Sequence, residues 1–160
     1  MKVAVFVDVS SLYYKLKNKY RDRTLDYKKY LSYLEDFGEI AVKRAYGSDM
    51  KGGKTAFADS LRGLGFDVLY KKARSKALSL VLNPSVQVTV DSMNLTDPDI
   101  ETVIISSSDP NLEALMVHLQ SKGLRVILIS CNIPQELRET NVNCIEIPES
   151  LLYETCTTHG

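Results

Sequence analysis

Asp8, Asp91 and Asp109 are the residues of this chain whose type and placement could do chemistry. Asp8 closes the apolar run Val3-Ala4-Val5-Phe6-Val7, and Asp109 follows Val103-Ile104-Ile105 and three serines. In an open α/β sheet, side chains at the carboxyl ends of parallel strands converge on one crevice, where ligands bind. Three carboxylates gathered there repel one another, and a divalent cation such as Mg²⁺ satisfies them. If the apolar runs are parallel strands, the chain carries a metal-dependent site.

Each acid also has a purely structural reading. Asp8 makes a good N-cap for the first helix, which Ser10 or Ser11 could also cap, and Asp109 before Pro110 makes an ordinary helix start. Around Asp109, the small residues Ser106, Ser107 and Ser108 let the backbone approach a ligand. Asn111 offers a neutral oxygen, and Glu113 lies one turn further on. The element that carries Asp91 is open: Val86, Val88 and Val90 alternate as a strand would, whereas Val86, Val90 and Met93 fit one helical face with Pro84 in its first turn.

The run Lys71-Lys72-Ala73-Arg74-Ser75-Lys76 could hold nucleic-acid phosphates, or be a solvated loop. Tyr13, Tyr14, Tyr20, Tyr27, Tyr30 and Tyr33 crowd the early helices, where rings can stack on bases or fill an amphipathic core or a dimer interface. His118 and His159 have no partner pattern for nucleophilic catalysis, and no nucleophile elbow or phosphate-binding glycine loop is present.

Those residues need elements to position them. The spacing predicts strands at Val3–Val7, Ile40–Tyr46 (with Gly47 turning the chain), Phe66–Lys72, Thr102–Ile105, Arg125–Ile129 and Cys144–Ile147. Helices are predicted from Ser10 or Ser11 to Tyr20, and over Leu25–Asp36, Thr55–Leu64, Pro110–Lys122 and Pro134–Glu139. Gly38, Gly65 and Gly123 stand where helices should stop. Alternating strands and helices of this length imply βαβ units and a mostly parallel sheet.

At 160 residues the chain is read as one domain, 1–160, large enough to bury a core. Net charge is zero, so nucleic-acid contact must come from a local basic patch. The three cysteines, Cys131, Cys144 and Cys156, lack C-x-x-C spacing, which favours reduced thiols. With no signal-peptide layout and no membrane-length apolar run, the expected location is the cytoplasm.

The order of segments resembles the NYN branch of the PIN-like nuclease superfamily, the LabA-like group. Val3 to Asp8 is similar to that family's first strand and acid, Tyr46-Gly47 to its second-strand ending, and Leu61 to Leu69 to its "L-x-x-x-G-x-x-V" segment. Val90-Asp91-Ser92-Met93 resembles the central "V-D-x-M/L" motif, which in the family lies on a helix, and Ile104 to Leu112 resembles "L-V-S-G-D-S-D-F". Leu119 to Val126 and Leu137 to Leu151 look like the closing segments.

The resemblance implies a Rossmann-like three-layer α/β/α sandwich and Mg²⁺- or Mn²⁺-dependent cleavage of RNA phosphodiesters. Asp8, Asp91 and Asp109 would be catalytic and would bind metal with Asn111 and Glu113. Ser11, Lys71, Lys72, Arg74 and Lys76 would hold the RNA, single-stranded or structured. The alternative is a non-catalytic member binding RNA or protein through the same crevice. The sequence departs from the family pattern where Ser11 replaces an expected Asn, Ser85 an acid, Asn83-Pro84 the "K-G" before it, and Asn111 the second acid of "D-x-D". The run Asp8-Val9-Ser10-Ser11-Leu12 also nearly matches the "D-x-S-x-S" of von Willebrand A-type domains, with Leu12 in place of a serine ligand.

Overall fold

A computed structural model describes residues 1–75 and 84–155; Lys76, the 77–83 stretch, Cys156 and His159 lie outside the described residues. The chain runs β1 (Lys2–Asp8), α1 (Val9–Lys19), β2 (Arg23–Leu25), α2 (Tyr27–Leu34), β3 (Glu39–Asp49), α3 (Ala56–Gly63), β4 (Asp67–Lys72) and α4 (Ser85–Met93). It continues through β5 (Ile100–Ser106), α5 (Glu113–Ser121), β6 (Arg125–Ser130), α6 (Gln135–Arg138), β7 (Asn143–Glu146) and β8 (Leu152–Glu154).

Six strands form the central sheet in the order β4-β3-β1-β5-β6-β7. Every pairing in it is parallel. β1 lies mid-sheet and buries six of its seven residues, as a strand covered on both faces must. Its side chains alternate between two apolar cores. Val3, Val5 and Val7 pack with Leu12, Tyr30 and Leu61 from α1, α2 and α3. Ala4 and Phe6 pack with Val88, Met116 and Leu137 from α4, α5 and α6. This is the expected α/β/α sandwich. From β1 the chain moves outward through β3 and β4, then returns to β5 on the other side of β1. That reversal opens the crevice in which such sheets bind ligands.

Several local expectations change. α2 begins at Tyr27 rather than Leu25, because Asp26 caps it by accepting from the Lys29 amide at 3.1 Å. Leu25 instead ends β2, which pairs antiparallel with β8. Both strands are three residues long, too short for any periodicity to announce them. The open stretch around Asp91 is helical, and Asp91 sits in the last turn of α4.

Gly47 does not turn the chain; β3 continues through it to Asp49. Gly47 pairs with Tyr70, whose ring would lie 2.6 Å from a Cβ at position 47. Gly47→Ala is therefore expected to cost about 1 kcal/mol in urea unfolding. The penalty should vanish in a Tyr70→Ala background, and an equal cost in both backgrounds would show that the ring is not the cause. Gly65 ends α3 with φ +91°, its amide donating to the Arg62 carbonyl at 2.9 Å. No helix among the described residues is long and apolar enough to cross a membrane. Cys131 and Cys144 are free thiols.

Candidate active site

Asp8 ends β1 at the reversal and is 4% exposed. It caps α1, its Oδ1 accepting from the Ser11 amide at 3.0 Å. A capping aspartate in water would titrate low, but this one is pushed up to about 6. Burial is the largest cause, opposed by the Ser11 amide, reinforced by the nearby Asp109 charge and opposed again by the Ser107 hydroxyl.

Asp109 lies just beyond β5, and it too is a cap, accepting from the Asn111 amide at 2.9 Å. Its Oδ2 accepts from the Ser85 hydroxyl of α4 at 2.5 Å, and its amide donates to the Ser107 Oγ at 3.2 Å. The serine run is a buried scaffold. Ser106 bonds to the Tyr30 hydroxyl, Ser107 links the two aspartates, and Ser108 bonds to the Ser130 hydroxyl at 2.7 Å and donates to the Cys131 carbonyl at 2.9 Å. The capping readings of Asp8 and Asp109 thus hold, and the two capped carboxylates are also near enough for Ser107 to bond to both residues and for the Asp109 charge to act on Asp8.

Asp91 is engaged elsewhere. Its Oδ2 accepts from the Tyr46 hydroxyl at 2.5 Å and pairs with Arg44 Nη1 at 3.1 Å, while its Oδ1 accepts from Gln87 Nε2 at 2.9 Å. Burial pushes this carboxyl up, but the hydrogen bonds from Tyr46, Gln87 and Arg44 together with the Arg44 charge hold it below the usual carboxylate range. The result is a clasp fastening α4 to β3. Among the described residues, no three His, Cys, Asp or Glu side chains are gathered so as to hold a metal ion. Leu12 is fully buried, so it adds nothing to an adhesion-type metal site.

Asn111 and Glu113 are exposed on the turn after Asp109, and Lys71, Lys72 and Arg74 are exposed at the end of β4 and just after it. Sequence reasoning missed Arg44 and Gln87. Gln87 carried a signal, lying one helical turn before Asp91; Arg44 carried none.

The NYN domain family matches residues 2–148. The chain belongs to the NYN domain family. That family is part of the PIN-like nuclease superfamily. Among solved structures, the chain is similar to a protein of unknown function from Vibrio parahaemolyticus, at 25% identity and a TM-score of 0.80, covering 95% of this chain and 96% of that one. No curated protein matches.

NYN and PIN-like nucleases generally use divalent metals, so the donor set can be tested for fit. Mg²⁺ is often held through one or two carboxylates, its remaining positions filled by water and substrate phosphate. Asp8 and Asp109 suit that mode: two hard oxygen donors, one with its charge buried and each raising the cost of the other. Asp91 does not, because a guanidinium already neutralises it. The residues therefore fit a cation held by two acids rather than three.

Proposed function

We propose that this NYN domain, of the LabA-like branch, is a cytoplasmic, divalent-cation-dependent endoribonuclease with a reduced acidic site. The observation that carries the reading is the Asp8–Asp109 pair at the sheet reversal, with Asp8 buried and its carboxyl raised to about 6. Burying such a charge costs stability, and strongly perturbed acids cluster at functional sites. Asp8 and Asp109 would hold Mg²⁺ or Mn²⁺, which when bound supplies positive charge to the scissile phosphate and makes bound water more acidic.

The protein's own residues fix that pair. The Ser11 amide and Ser107 hydroxyl orient Asp8, while Ser85 and the Asn111 amide orient Asp109. Asp91 is a positioning residue in this reading: by clasping α4 to Tyr46 and Arg44 it holds Ser85 against Asp109. Asn111 and Glu113 are supplementary oxygen donors beside Asp109. Lys71, Lys72 and Arg74, exposed at the end of β4 and just after it, hold RNA phosphates in this reading.

One observation favours a second reading. The Arg44–Asp91 pair leaves the crevice one acid short of the family's set, as a catalytically weak RNA-binding member would. Incubating single-stranded RNA with Mn²⁺ separates the two. Cleavage that stops with EDTA and falls to background in Asp109→Asn supports the nuclease. RNA binding without cleavage in Mg²⁺ or Mn²⁺ supports the binding module.

A further inference from the structure

We propose that a groove bordered by the residues that follow Asp8 is a stacking subsite for the unpaired bases of single-stranded RNA, and this inference rests on the nuclease reading above. The groove has a volume of about 840 Å³ and runs between α1, the end of β3, the start of α3 and the β2–β8 ribbon. Four rings that line it, Tyr13, Tyr14, Phe57 and Tyr153, keep 37–48% of their surface exposed. Their neighbours in the tyrosine-rich segment divide sharply: Tyr27 and Tyr30 are buried in the core. Tyr13 and Tyr14 meet edge to face at 5.3 Å, an arrangement that does not stack their faces on each other.

Charge in the groove suits a polyanion. Lys17 lines it, with its Nζ 5.7 Å from the centre of the Tyr13 ring, and Lys51 lines it at the opposite side, on the loop after β3. Asp49 is the acid in the lining, and its Oδ1 is turned into its own loop, accepting from the Lys51 and Gly53 amides at 2.9 Å each. Aromatic faces interleaved with lysines hold single strands, because every base has a face to stack while the lysines follow the phosphates.

The groove begins next to Asp8 in the chain, at Val9 and Ser10. Ser10, two residues after Asp8, lines it, and its Oγ accepts from the amide of Ser48, also in the lining, at 3.1 Å. A strand stacked here would pass its backbone beside Asp8. A duplex keeps its bases stacked inside and cannot use the rings, so the groove selects single strands.

The test is fluorescence anisotropy in EDTA with a labelled eight-nucleotide single-stranded RNA, an abasic chain of equal length and a duplex of the same sequence. The intact strand should bind more tightly than the abasic chain and the duplex. Tyr13→Ala and Tyr153→Ala should each weaken the intact strand by roughly 5- to 100-fold and leave the abasic chain unchanged. Equal binding of intact and abasic strands, or no effect of either substitution, overturns the groove. So does sedimentation showing a homodimer that Tyr13→Ala dissociates, since a second copy would then cover the rings. Failure of the groove with Mn²⁺-dependent cleavage intact leaves the nuclease reading standing; base-dependent binding without cleavage in Mn²⁺ sinks that reading and keeps the groove.

Discussion

Asp8→Asn is expected to stabilise the protein at pH 7 by about 3 kcal/mol while reducing cation-dependent RNA cleavage by roughly 100-fold or more. Asparagine caps a helix about as well as aspartate, so the Ser11 hydrogen bond survives. What disappears is the cost of a buried carboxylate facing Asp109. The Asp8 carboxyl titrates at about 6 in the folded protein against an ordinary value of 3.8, so the folded state holds the proton more tightly. Stability of the parent protein should therefore fall as pH rises from about 4 to 6, and remain low above that window.

The substituted protein should lack this fall, and the two should converge below about pH 4. Urea unfolding at a series of pH values reads the difference directly. Mn²⁺ should restore stability to the parent, by about 2.7 kcal/mol at one hundred times its dissociation constant, and do far less for Asp8→Asn. Parallel pH profiles for the two proteins would remove the case for a strained, functional acid.

Arg44→Met carries the opposite signature. The Asp91 side chain is 9% exposed, and removing the guanidinium leaves its charge with only the Tyr46 and Gln87 donors. Breaking a fully buried pair costs about 3–5 kcal/mol. Arg44 is itself 35% exposed, and solvent screening reduces the expected loss to about 2 kcal/mol. Because the Asp91 carboxyl is held below its ordinary value, its contribution is present above about pH 4 and is lost as pH falls through the lowered value. The Arg44→Met penalty should follow the same course, full at neutral pH and absent in strong acid.

Cleavage should drop roughly tenfold in Arg44→Met if, as proposed, Asp91 positions α4 rather than holding the cation. Arg44→Lys, which keeps the charge, should recover part of both losses. A Mn²⁺ affinity unchanged by Asp91→Asn would agree with this role, and its collapse would make Asp91 a ligand.

Much of this architecture is legible in the chain. The unbroken run Val3–Val7 is what a strand covered on both faces looks like, and β1 is that strand. Gly65 and Gly123, both with positive φ, end their helices where local backbone freedom requires it. Asp8 falls at a strand end because the apolar run stops at it, and Asp109 falls just beyond one, after the three serines that follow Ile105. These features are local: burial periodicity and capping are decided by residues within a turn or two of each other.

The partners of each acid are not local, and only the tertiary structure decided them. Tyr46 and Asp91 are 45 residues apart and Ser85 and Asp109 are 24 apart, and no periodicity links such positions. Whether a carboxylate is a neutralised clasp, as Asp91 is, or a buried charge raised to about 6, as Asp8 is, depends on which cations and acids packing brings beside it. The sheet order placed β1 next to both β3 and β5, and thereby set Asp8 against Asp109 while β3 delivered Arg44 to Asp91. A sequence determines where charges sit along the elements; the fold determines which of them meet, because electrostatic energy depends on distance and burial in space.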